Sequence, residues 1–205
     1  MKLSRRVLAI VLLGIAILLV AWSTAERERA RREADIRQGH RTPAARSFGE
    51  RLLGPIASYA AALQWARVDD ALRLGRPEVA YARAEFALEL APGDPAGWTF
   101  FAHHFIYDRA SALRESDRSV RAHWIQTGLD LLERGERECA EPGKIAFARA
   151  VVFLSFAQQD DADRAWPGTR REAWLEASRA FERAAVAGEP LAAEAARASR
   201  AEAGD

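Results

Sequence analysis

A chain of 205 residues that is 49% hydrophobic and 29% charged holds enough apolar material for one folded domain, once an unusually apolar N-terminal run is set aside. The formal net charge of +1 removes any global attraction to nucleic acid, and with only Lys2 and Lys144 as lysines among 30 basic residues, the arginine content reads as coding bias rather than a phosphate-binding surface. One cysteine, Cys139, excludes an internal disulfide and a cysteine-only metal site.

Residues 1–6 (MKLSRR) form a short basic head. Residues 7–25 carry no charge before Glu26 and, at ~1.5 Å per residue, span roughly 28 Å as a helix, close to the ~30 Å hydrocarbon core of a bilayer. They read as a transmembrane anchor or uncleaved signal. A cleaved signal peptide competes, because Ser23-Thr24-Ala25 supplies small residues of the kind processing needs. Against cleavage, the run is long, lacks proline and leads straight into helix-forming sequence. Orientation stays open: residues 26–41 carry six arginines and four acids, which favours the cytoplasm for the C-terminal side, whereas the short basic head is also the start of an export signal and places the domain outside it. The exported orientation is the expectation.

Residues 26–47 are charged and almost free of large apolar side chains, with opposite signs at helical spacing such as Glu28 and Arg32. They read as a solvated stalk. From residue 48 the apolar content rises, and residues 48–190 form the predicted helical domain. Breakers and caps set its helices at Ile56–Leu74, Pro77–Leu90, Pro95–Leu113, Ser119–Arg134, Pro142–Gln159 and Arg170–Ala187. Pro142–Gln159 is the most apolar and is expected to be the most buried. In residues 191–205 an alanine-rich helix, Leu191–Ala201, caps the array. No stretch alternates as a half-buried strand does, so the fold class is all-α.

Within 61–105, Ala80, Ala84 and Ala87 lie on one helical face and are small enough for a neighbouring helix to approach closely. Pro92-Gly93-Asp94-Pro95 stops that helix, and Trp98, Phe101, Ala102 and Phe105 open the inner face of the next. Together with Ala71 and Gly75, this order of small, aromatic and breaker residues resembles the tetratricopeptide repeat (TPR), and Ala61 to Asp94 has its 34 residues. The first unit departs from the pattern at Gln64, Arg67 and Val68. Spacing is lost beyond Phe105, where Arg109 and Arg114 replace small residues and a longer helix is expected. The pattern returns at Ala177, Phe181 and Ala184, giving two good units and one or two degenerate ones.

The resemblance implies a short solenoid in which the first helix of each unit lines a concave groove. Trp65, Asp69 and Arg73 then form one stripe, and Thr99, His103 and Tyr107 the equivalent stripe one period later. The expected function is a membrane-anchored scaffold that holds a protein or peptide partner in this groove, without catalysis or cofactor. Two alternatives stand beside it. One is an exported helical enzyme or metal-binding domain built on His103, His104 and Asp108, with His123 as a further member; the other is a structural subunit of an envelope assembly. His104 and Asp108 share a helical face, but two ligands from one helix do not make a metal site. Asp69-Asp70 and Asp160-Asp161 are adjacent carboxylates that point apart, and no phosphate loop or Gly-x-Ser-x-Gly elbow occurs.

Overall fold

The computed structural model describes residues 53, 54, 56–161 and 163–204, and the head, the apolar run 7–25 and the stalk 26–47 lie outside these. Among the described residues the protein is all-helical, without a strand: α1 (Ile56–Arg73), α2 (Pro77–Leu90), α3 (Pro95–His103), a π-helical turn (His104–Arg109), α4 (Arg118–Glu138), α5 (Pro142–Gln158), α6 (Arg170–Val186) and α7 (Ala192–Glu202). No helix among them is long and apolar enough to cross a membrane.

Local chemistry explains most boundaries. Proline occupies the first turn of α2, α3 and α5, where no backbone donor is needed. Asp94 caps α3 by accepting from the Ala96 amide at 2.9 Å, and Asp117 caps α4 through the Ser119 amide at 2.7 Å. Thr169 and Glu172 form a reciprocal capping box at the start of α6. At the end of α1 the Arg76 amide donates to the Ala71 carbonyl and the Gly75 amide to that of Leu72, a closure that requires the left-handed φ of +68° at Gly75.

Two boundaries differ from the sequence expectation. The helix expected to run to Leu113 ends instead in the π-helical turn, closed by the Ala110 amide donating to the Phe105 carbonyl at 3.1 Å. Arg121 Nε then donates to the Ala110 carbonyl at 2.8 Å, and the Ser111 hydroxyl accepts the Leu113 amide at 3.3 Å, so one tertiary and one local hydrogen bond take the chain out of the helix. Conversely α4 continues past Arg134 to Glu138, because Gly135 is an internal contact point. A Cβ there would lie 2.9 Å from Ile145 Cδ1 and 3.0 Å from the Trp98 ring.

Consecutive helices pack as neighbours: α1 on α2 and α6 on α7 across short links, and α5 on α6 across the longer loop 159–169. Helix α4 packs on α3, on the π-helical turn and on α5. Its charges tie it further: Arg134 bonds Glu85 on α2 at 2.7 Å and lies 4.8 Å above the Trp98 ring. On its other side Glu136 receives Arg183 of α6 at 2.9 Å and Arg149 of α5 at 3.4 Å. The main core runs from Val68 through Trp98, Phe101 and Leu132 to Phe156, and a second cluster of alanines around Phe181 closes the C-terminal end.

Candidate partner-binding face

The face begins with α3, whose amphipathic spacing buries Trp98, Phe101 and Ala102 and leaves Phe100 outward, 48% exposed. Trp65 of α1 comes against this helix. Its ring stands edge-on to Phe100 at 5.6 Å and to Phe101 at 6.4 Å, and Gly97 gives it room, since a Cβ there would sit 2.9 Å from the ring. Trp65 is therefore half-buried, with one edge in the seam between α1 and α3. Its two stripe companions stay outside: Asp69 and Arg73 pair with each other at 2.6 Å on an exposed surface.

In the second stripe, the Thr99 hydroxyl is directed back along its own helix, donating to the Pro95 and Ala96 carbonyls. His103 and Tyr107 are ring neighbours at 5.3 Å, and the Tyr107 hydroxyl lies 3.4 Å from Ser155 Oγ on α5. Burial lowers the His103 pKa below the ordinary imidazole value, and its Nε2 is buried with no hydrogen-bond partner among the described residues. The structure thus joins Trp65 to α3, joins His103 to Tyr107, and extends the surface to α5. Phe100 and Ser155 are the residues that sequence reasoning missed. Phe100 was legible as position i, i+3 and i+7 with His103 and Tyr107. Ser155 was not, because it lies 48 residues away in an apolar helix with no repeating signal.

The histidine pair is split by the helix it sits on. His103 meets Tyr107, while His104, 8% exposed, points toward α2, with its Nε2 3.4 Å from the Tyr81 hydroxyl and its Nδ1 3.1 Å from Asp108 Oδ2. Desolvation dominates and lowers the His104 pKa, with the Asp108 hydrogen bond opposing it. Burial likewise raises Tyr81, against the pull of Arg109. This Tyr–His–Asp chain is a satisfied polar link inside an aromatic cluster. His123 stands apart on α4, exposed beside Trp124. Among the described residues there is no group of three or more histidine, cysteine or acidic side chains placed to hold a metal ion.

Comparison of the chain with protein-family models, with curated proteins and with solved structures gives no match.

Proposed function

We propose that this chain is a membrane-anchored, TPR-like interaction module that captures a protein or peptide segment on the face formed by α1, α3 and α5, and that it acts by binding rather than by catalysis. The observation that carries the reading is the row of partly exposed rings along that face: Trp65 against Phe100, then His103 against Tyr107, with Tyr107 reaching Ser155. Rigid aromatic side chains with one polar end supply binding area at low entropic cost, which is why tyrosine and tryptophan dominate interface hot spots. The sequence of three helical pairs, α1 with α2, α3 with α4 and α5 with α6, followed by the short α7, also supports a solenoid-like reading. Its first helices are linked side by side through the Trp65 and Tyr107 contacts. Residues 7–25 would hold this face near a bilayer, with the domain on the outer side.

The test is a displayed peptide library panned against the full chain in detergent. Phe100→Ala and Tyr107→Ala should each weaken selected peptides at least about tenfold while helicity and melting temperature stay unchanged, as both side chains are substantially exposed. Peptides that bind both variants as tightly as the parent would remove this face from the function.

A further inference from the structure

On the first helical pair, away from the rings just described, α1 and α2 leave an open groove of about 580 Å³ lined by Gln64, Glu78, Val79, Ala82, Arg83 and Phe86. Its floor is apolar and open to solvent: Val79 is 43% and Phe86 48% exposed. Arg83 is steadied across the groove by a 3.2 Å hydrogen bond to Gln64. The opposite end of the helical array is finished differently. There α7 lies over α6, burying Ala192 and Ala196 beneath a polar outer surface. An array of helical pairs needs both ends covered, because each pair cannot bury its apolar faces alone. The groove on α1 and α2 is the end that the described residues leave bare.

We propose that a second copy of the chain covers it, through a two-fold contact in which α2 packs antiparallel on α2 of its partner. The sequence of α2 is self-complementary in that arrangement. With the axis midway between Ala80 and Tyr81, Glu78 of one copy faces Arg83 of the other, and the same pair recurs across the axis, as a two-fold contact demands. Val79 faces Ala82 in both directions, so a larger apolar side chain meets a smaller one. Phe86 reaches the Gly75 turn of the second copy, where the left-handed glycine leaves open space and Leu74 is exposed nearby. Within α2 the positions that meet, Val79, Ala82 and Phe86, follow the three-four spacing of a helix seam, and Gly75 lies in the turn just before it.

The size of the surface sets the strength. A helix of 14 residues is ~21 Å long, and two helices side by side are ~20 Å wide, so the contact covers roughly 400 Å² in projection on each copy. That is at the small end of protein interfaces, where contacts are weak and reversible.

Sedimentation equilibrium of the full chain in density-matched detergent tests this. The parent should follow a monomer–dimer equilibrium. Glu78→Arg and Arg83→Glu should each raise the dissociation constant at least about tenfold, since each places like charges opposite one another twice. The combined Glu78→Arg/Arg83→Glu chain restores both pairs with reversed sign and should return to within about threefold of the parent. Circular dichroism melting checks that every variant is folded. A monomeric parent at all concentrations overturns the proposal. So does a dimer indifferent to the single reversals, as self-association through residues 7–25 would produce, or a combined variant that stays dissociated.

Discussion

Two seams of the domain are built from side chains of opposite size. Where the first helical pair meets α3, the π-helical turn and α4 the seam is made of large rings, although α1 and α2 also bury Ala57, Ala61, Ala80 and Ala84: Phe101 touches Trp65, Tyr81 and Phe105 at centroid distances of 6.4, 5.9 and 4.9 Å, and Phe105 stacks on Trp124 at 5.7 Å. Between α5, α6 and α7 the seam is made of the smallest side chains, with Ala150, Ala180, Ala184 and Ala192 all completely buried around Phe181. Alanine lets helix backbones approach closely and leaves little side chain over at the surface. Rings hold helices further apart and spread beyond the seam, which is how Phe100 and Tyr107 come to be exposed beside it. The exposed rings of the proposed binding face therefore lie where the packing is coarsest.

Deleting a large side chain from the first seam should be the most damaging change. Phe101 is 3% exposed and central to its ring cluster, so Phe101→Ala is expected to cost about 3–5 kcal/mol in urea unfolding, a large part of the stability of an ordinary domain. At the alanine seam the damaging change is the reverse. Ala180→Leu should cost about 1–3 kcal/mol by overpacking. Phe101 and Ala180 belong to separate buried clusters, so the double variant should be additive within about 0.5 kcal/mol. A large coupling energy would mean that the two seams are one.

The smallest expected effect is acid sensitivity confined to the ring seam. His103 and His104 are both held below the ordinary imidazole pKa by burial. Below about pH 6.5 the unfolded chain therefore takes up more protons than the folded one, so this stability is complete above that pH and is lost as pH falls toward the folded values. Asp117 and Glu172 are also lowered, by hydrogen bonds from Ser119 and Thr169, but from carboxylate values that lie below this window. Hydrogen exchange at pH 5.5 against pH 7 should show α2 and α3 opening more readily while α5 to α7 are unchanged, and His104→Gln should reduce the difference.

Much of the architecture was legible. Prolines, caps and alanine spacing put α2 at its observed limits and placed α1, α5, α6 and α7 within a residue at either end, because these signals act over one or two turns. The failures are at α3 and α4, where contacts with distant residues contribute. Arg121 captures the Ala110 carbonyl, and Gly135 is chosen for Trp98 and Ile145 rather than as a stop. Gly128 has the same role, since a Cβ there would lie 2.5 Å from Ile106 Cγ1 and 2.8 Å from the Ala102 carbonyl. At the candidate face the periodic part, His103 with Tyr107, was legible in one helix. The pairing of Trp65 with Gly97 and of Tyr107 with Ser155 was not, since no local rule sets how far one helix is displaced along another.

The single cysteine turns the meeting of two turns into a place where motion can be timed. Cys139 is 5% exposed, with its thiol donating to the Gly93 carbonyl at 3.3 Å and accepting from the Glu141 amide, so it bridges the turn before α3 and the turn before α5. Burial pushes its pKa up and keeps it in the unreactive thiol form. A maleimide can therefore reach it only while those two turns are apart, and the labelling rate becomes a clock for that opening event, free of interference from any other thiol in the chain.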